Sequence, residues 1–131
     1  MRIYLAASYN EKERIKLLSR QLIDLGLSPV NTWQDEPLGA DKDIKDWPKF
    51  ADRDLKDVSR CDILVVFTDR PSSTGGYHLE TGFALALGKQ ILVVGKRTNF
   101  FHHLPHFAKV SDWKGAKNWL VKQEEKMTKG N

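Results

Sequence analysis

A single carboxylate set into a helix that opens on two glycines is the first group in this sequence with the setting to react. Gly75-Gly76-Tyr77-His78-Leu79-Glu80-Thr81-Gly82 follows a buried-strand pattern, and Gly88-Lys89 close the helix before another such pattern. A helix N-terminus carries unpaired N–H groups and about half a positive charge, so it suits an anion and is expected to favour the ionised form of Glu80. An ionised carboxylate is what attack on an electrophilic carbon needs. Alone, the stretch reads equally well as a strand-to-helix turn with an ordinary first-turn Glu. Its surroundings have to decide.

A second carboxylate, Asp54, lies on the preceding helix and is separated from Glu80 by one strand. Two carboxylates flanking a glycosidic bond work as nucleophile and general acid when they stand about 5–5.5 Å apart on a retaining path. The acid then needs a raised pKa, from partial burial or from its neighbouring anion. Spacing by itself favours a solvated helix-face acid for Asp54. Other chemistries have less support. His102, His103 and His106 share one loop without Cys partners or an H-E-x-x-H pattern, so structural or substrate-gating roles are expected and no metal. Ala6-Ala7-Ser8 stands where a dinucleotide fingerprint would have its glycines, and neither a P-loop nor a G-x-S-x-G elbow occurs. No cofactor is implied.

The elements that must hold these groups alternate. Arg2 to Ala7 reads as a strand, and Asn10 as the N-cap of a helix with Ile15, Leu18, Leu22 and Leu25 at helical spacing, stopped by Gly26. Ser28 to Trp33 reads as a second strand, and Gln34 to Asp46 as a polar loop long enough to be a lid. Asp46 is expected to cap a helix with Pro48 in its first turn and a core stripe of Phe50, Ala51, Leu55 and Val58, leaving Asp52, Asp54 and Asp57 on other faces. Asp62 to Thr68 is apolar without alternation, the pattern of a parallel strand covered on both sides. After the Glu80 helix come a strand at Gln90 to Gly95 and an aromatic, His-rich loop. A short strand at Phe107 to Val110 then precedes a helix capped by Ser111 or Asp112. This alternation predicts a doubly wound parallel sheet with right-handed crossovers. Ligands in such sheets bind beyond the carboxyl ends of the strands, here Ala7-Ser8-Tyr9, Trp33, Thr68 to Gly76, and Gly95 to Asn99.

Composition narrows the setting. A chain of 131 residues with a net charge of +4 fits one domain, taken as residues 1–125 with a frayed tail at 126–131. Its basic residues are interleaved with acids, so a polymeric nucleic acid is not the expected partner. No apolar run reaches the roughly 18 residues that span a bilayer. Met1 leads straight into a strand-like segment, so neither a signal nor a transit peptide is expected. The lone Cys61 suits a reducing, cytoplasmic setting and reads as a small core hydrophobe.

Three segments carry a family resemblance. Ile3-Tyr4-Leu5-Ala6-Ala7-Ser8, Asp52-Arg53-Asp54-Leu55 through Cys61-Asp62-Ile63, and Gly75 through Lys89 resemble, in order, the nucleoside 2-deoxyribosyltransferase superfamily, which includes 2′-deoxynucleoside 5′-monophosphate N-glycosidases. The resemblance implies a flavodoxin/Rossmann-like three-layer α/β sandwich with a five-stranded, mostly parallel sheet. It also implies cleavage of the N-glycosidic bond of a deoxynucleoside or its monophosphate. Glu80 would attack C1′ to give a covalent deoxyribosyl intermediate, Asp54 would assist the departing base or hold the sugar, and Tyr4 would hydrogen-bond the nucleophile. Water or a second base would resolve the intermediate. Family members assemble as dimers or larger, and Asn99 matches a residue donated by a neighbouring copy.

The chain also departs from that pattern. Its turn before Glu80 is long, so Ser72, Ser73 and Thr74, beside Gly75 and Gly76, are all candidates for phosphate contact. Asp69 is the candidate to replace an acid that touches the base. Ser8 retains a hydroxyl for phosphate. Trp33 fits stacking on a base and equally a core or lid-supporting role. Two rival readings stay open: a non-catalytic nucleotide-binding or sensor module, and a glycosidase of ribonucleotides or NAD-like dinucleotides.

Overall fold

The apolar run in the middle of the sequence forms strand β3 (Ile63–Phe67), buried along its whole length. It is buried because it is central. In the computed structural model, which describes residues 1–37, 43–70 and 75–129, β3 lies between β1 (Arg2–Ala6) and β4 (Gln90–Val94). Strands β2 (Ser28–Pro29) and β5 (Phe107–Val110) form the edges, in the order β2-β1-β3-β4-β5, with every pair parallel. The sheet is thus five-stranded and wholly parallel. Its order reverses between β1 and β3, the switch point at which such sheets bind ligands.

Among the described residues, four α-helices supply the outer layers: α1 (Lys12–Asp24), α2 (Trp47–Arg60), α3 (Gly76–Ala86) and α4 (Trp113–Lys129). Tyr4 pairs in register with Leu64, and its hydroxyl reaches α3. Phe67, three residues beyond Leu64, faces the opposite layer, where its ring meets Trp113 of α4 at 5.7 Å and the Arg14 guanidinium of α1 at 4.9 Å. Trp113 Nε1 also donates to Gln21 at 2.7 Å, tying α4 to α1. Helices α2 and α3 pack against each other on the other face. The expected stripe on α4 holds, with Ala116 and Leu120 buried and Asp112 capping it through Oδ1 to the Gly115 N–H at 2.9 Å.

Several local expectations are corrected. Helix α1 is not capped by Asn10; a 3-10 turn at Tyr9–Glu11 precedes it, and the Glu11 N–H bonds to the Ser8 carbonyl at 2.9 Å. Leu25 lies past the helix end and is exposed, because the chain already turns into Gly26 at φ 80°. Strand β2 stops at Pro29 instead of running to Trp33. Beyond it side chains replace the ladder: Asn31 Oδ1 accepts from the Leu5 N–H at 3.0 Å, and Trp33 Nε1 donates to the Leu5 carbonyl at 3.0 Å. On α2, Ala51 is exposed, whereas Asp57 is fully buried and bonded to Thr32 and Arg60. Helix α4 continues to Lys129, past the point at Glu125 where fraying is expected. No helix among the described residues is long and apolar enough to cross a membrane.

Candidate active site

Gly75 adopts φ 77°, a left-handed conformation that side chains resist, and this turns the chain into α3 at Gly76. The turn starts the helix under the carboxyl end of the sheet and places Glu80 at its fifth residue, facing inward. There the Tyr4 hydroxyl, rising from β1, donates to Glu80 Oε2. Asp54 arrives from α2, and it lines one cavity of about 380 Å³ together with Glu80, while Tyr4 holds Glu80 from behind that wall.

Besides Asp54 and Glu80, that cavity is lined by Ser8, Tyr9 and Trp33 from the β1–α1 and β2–α2 connections, by Glu36, and by Trp47 and Phe50 of α2. Gly76 and Tyr77 complete the wall at the start of α3. Trp33 is 5 % exposed and held by its bond to Leu5, so it serves as core and wall at once. Tyr9 stands 6.4 Å from it, ring centre to ring centre. The long loop after Trp33 contributes Glu36, whose carboxylate is buried against Arg53 Nη2 and whose carbonyl accepts from the buried Lys12 ammonium. Arg53 bridges onward to Asp54 Oδ1 at 3.0 Å.

Electrostatics here run against the helix-dipole expectation. Glu80 lies past the first turn, where the dipole has largely decayed. Burial instead raises its pKa from 4.5 to about 8; the Tyr4 hydrogen bond opposes that rise, and the charges of Asp54 and Asp57 add to it. Asp54 is pushed up to about 6, chiefly by burial, with Arg53 pulling it down and the charges of Glu36 and Asp57 pushing it up. Burial first, then the Glu80 charge, holds the Tyr4 phenol well above its ordinary pKa, so it stays a donor across the neutral range. The site is therefore a carboxyl and a carboxylate sharing one aromatic-walled hollow, with a fixed phenol on one of them.

Other expected contacts lie elsewhere. Asp69 does not line the cavity; Arg14 holds its carboxylate at 2.7 Å on the protein surface. Asn99 caps a 3-10 turn at Phe100–His103, its Oδ1 accepting from the Phe101 and His102 N–H groups at 3.0 and 3.3 Å. It borders separate hollows with His78, and in its own chain it stays out of the Glu80 cavity. His102 is buried and accepts from the Asn99 N–H, a structural task. Among the described residues no group of three or more His, Cys, Asp or Glu side chains is placed to hold a metal ion. Cys61 is buried in the core, which pushes its thiol up to about 11. Ser72, Ser73 and Thr74 lie outside the described residues, and Gly75 borders the cavity only through Gly76.

Sequence reasoning missed Glu36, Arg53, Trp47 and Phe50, and placed Tyr9 only generally, at the end of the first strand. Phe50 reads as a core residue because it shares the helical stripe with Val58. Glu36 offers no signal beyond its place in a long polar loop.

The sequence profile described as Nucleoside 2-deoxyribosyltransferase matches residues 3–128. No curated protein sequence matches the chain. Among solved structures, the CMP N-glycosidase BcmB of Clostridium botulinum is similar at 24 % identity and a TM-score of 0.61, covering 95 % of this chain and 99 % of that one. A 2-deoxyribosyltransferase from Bacillus psychrosaccharolyticus shares 23 % identity with a TM-score of 0.71, over 90 % of this chain and 91 % of that one. A conserved protein from Enterococcus faecalis shares 16 % identity with a TM-score of 0.68, over 95 % and 98 % respectively. At these identities the structural likenesses speak for the fold.

Proposed function

The chain belongs to the nucleoside 2-deoxyribosyltransferase family, and from that premise we propose that it cleaves the N-glycosidic bond of a 2′-deoxynucleoside or its 5′-monophosphate with retention. The observation that carries the proposal is the Tyr4–Glu80 hydrogen bond on the wall of a cavity that Asp54 also lines. In the reactive state Glu80 is ionised and Asp54 protonated. A Glu80 oxygen attacks C1′ on the face opposite the base. The bond from C1′ to the base nitrogen breaks, its electron pair leaves with the base, and that nitrogen takes the proton of Asp54. Tyr4 holds one carboxylate oxygen and so aims the other.

In the second half, water attacks C1′, Asp54 accepts its proton, and the ester to Glu80 breaks. A second base attacking instead would give a new nucleoside. Base release from a panel of deoxynucleosides and their monophosphates tests the reading, with a second free base added to separate transfer from hydrolysis. Paired 2′-hydroxy substrates test the ribonucleotide and NAD-like alternatives. Glu80→Ala should lower base release at least about a thousandfold. Full activity in that variant would sink the assignment.

One observation favours a second reading, a non-catalytic nucleotide-binding module. The proton that burial keeps on Glu80 at neutral pH leaves little nucleophile in the free protein. Tight nucleotide binding with no base release over long incubation would establish it. The proposal also includes a cytoplasmic homodimer or larger assembly in which Asn99 of a neighbouring copy completes the site. Exposed Phe100 and Phe101, which follow Asn99 in the chain, support that arrangement, and sedimentation tests it.

A further inference from the structure

Lys12 occupies a position that elementary electrostatics disfavours. It is the first residue of α1, where the helix N-terminus repels a cation, and it is only 5 % exposed. A surface lysine runs its stem along apolar ground and leaves its ammonium in water; here the ammonium is drawn inside and loses that hydration. Departures of this kind from local rules concentrate at functional sites. The ammonium meets two residues that line the Glu80 cavity, while Lys12 itself stands behind the wall. Its Nζ donates to the Glu36 carbonyl and, at 3.5 Å, to the Tyr9 hydroxyl, and it lies 5.2 Å from the centre of the Tyr9 ring.

We infer that Lys12 is a positioning residue for the proposed reaction: from behind the cavity it clamps the Tyr9 wall to the Glu36 wall, and through Glu36 and Arg53 it sets where Asp54 stands. The inference rests on the glycosidic reading above and adds to it the residue that holds the proposed general acid in place. Tyr9 belongs to the β1–α1 connection and Glu36 to the β2–α2 connection, so one ammonium joins two separate segments of the wall. Glu36 is held from both ends, its carbonyl by Lys12 and its carboxylate by Arg53 Nη2. Arg53 in turn donates to Asp54 Oδ1 at 3.0 Å. The line of contacts thus runs from α1 through the loop to α2 and ends at the acid. An ammonium suits this task because its compact head carries three donors and can serve two acceptors at once. Misplacing a reacting group by about 1 Å costs about a hundredfold in rate, so a slack clamp should show first in kcat.

Lys12→Met separates positioning from folding. Methionine fills the same channel without the ammonium: the Glu36 carbonyl loses its donor, but the costs of burial and of the helix dipole vanish with the charge. The thermal midpoint should therefore stay within about 3 °C of the wild type or rise. In the same variant kcat/KM for base release should fall at least about tenfold, most of it in kcat. A smaller fall overturns the inference, and so does a loss confined to KM, which would cut the link to Asp54. A midpoint that drops further, with activity lost in step, assigns Lys12 to folding and overturns it too. Should Lys12→Met fail to fold, Lys12→Gln, which keeps a donor without the charge, is judged by the same two readings. Failure of both to fold makes the ammonium a structural group and overturns the inference. If the wild type releases no base, the glycosidic reading fails by itself, and the clamp is read without substrate. The Glu36 N–H donates to the Trp33 carbonyl at 3.4 Å. Its hydrogen exchange should quicken at least about tenfold in Lys12→Met, and a smaller change overturns the inference.

Discussion

The Tyr4 hydroxyl donates to Glu80 Oε2 and so joins β1 to α3 across 76 residues of sequence. Burial raises the pKa of both groups, Glu80 to about 8 and Tyr4 well above its ordinary value, so the phenol remains the donor and the carboxyl the acceptor. The bond is also what most opposes the rise on Glu80. It keeps the ionised form of Glu80 within reach of neutral pH and leaves the other carboxyl oxygen free of Tyr4.

These two carboxyls set the expected pH profile. The proposed mechanism needs Glu80 ionised, with a pKa of about 8, and Asp54 protonated, with a pKa of about 6. Below pH 6 activity should climb as Glu80 loses its proton. Between 6 and 8 the gain on Glu80 cancels the loss on Asp54, and above 8 activity falls as Asp54 empties. A plot of kcat/KM against pH should therefore be flat between breaks near 6 and 8, with roughly 1 % of the protein correctly protonated on the plateau. A single break anywhere from pH 5 to 9 would contradict this pairing.

Tyr4→Phe separates the two breaks. Losing a hydrogen bond to a charged group costs about 1.5–3 kcal/mol, so kcat/KM should fall about 10- to 100-fold. The upper break should move to higher pH, because Glu80 has lost the donor that favours its anion. A shift of the lower break instead would mean that Glu80, and not Asp54, is the group that titrates near 6.

Much of this arrangement is legible in the sequence, and the exceptions share a cause. β3 shows itself because burial on both faces leaves no alternation, and Gly75 because a left-handed turn must open the helix. The end of β2 is hidden. Asn31 and Trp33 bond to the backbone of Leu5 through their side chains, and no periodicity records such a pairing. Asp57 is fully buried on the strength of partners from two directions, Thr32 and Arg60, so polarity alone misplaces it on a solvated face. Glu36 and Arg53 meet only after the loop folds back on α2. The dipole expectation for Glu80 fails for a different reason: one turn of helix outruns the dipole, whereas burial acts at full strength.

Trp33→Phe isolates that hidden pairing. The smaller ring still fills most of the wall but leaves the Leu5 carbonyl without its indole partner. An unsatisfied buried acceptor costs about 1–3 kcal/mol. Thermal unfolding should drop by several degrees, and affinity for the base should weaken as the wall recedes. An unchanged Tm would mean that water or another donor replaces the indole.

Arg53→Met should show that Arg53 positions Asp54 and the Glu36 loop together. The variant removes the group that most lowers the pKa of Asp54, so the lower break should move upward from about 6. It also strands the buried Glu36 carboxylate, and stability should fall by about 2 kcal/mol. Adding Glu36→Gln should recover most of that loss without returning the break to its original pH. Additive losses in the double variant would show that the two residues are not coupled.

Glu80→Gln gives a stability test that needs no substrate. The folded protein holds the Glu80 proton to about pH 8, against an ordinary value of 4.5 in the unfolded chain. A raised carboxyl pKa means that the folded state binds the proton more tightly. Its contribution is therefore fully present below about pH 4.5 and is lost progressively as pH rises to 8. Glutamine does not titrate, so the variant should gain on the wild type across that window and hold a constant lead above it. Glu80 keeps part of its surface open, so the lead is set at about 2 kcal/mol, below the full value of the shift. Unfolding by heat or urea at pH 5 and at pH 8.5 reads it directly. A difference between the two proteins that stays the same at both pH values would mean that Glu80 is already ionised in the folded chain. The proposed nucleophile would then stand ready at neutral pH, and the plateau between 6 and 8 should disappear with it.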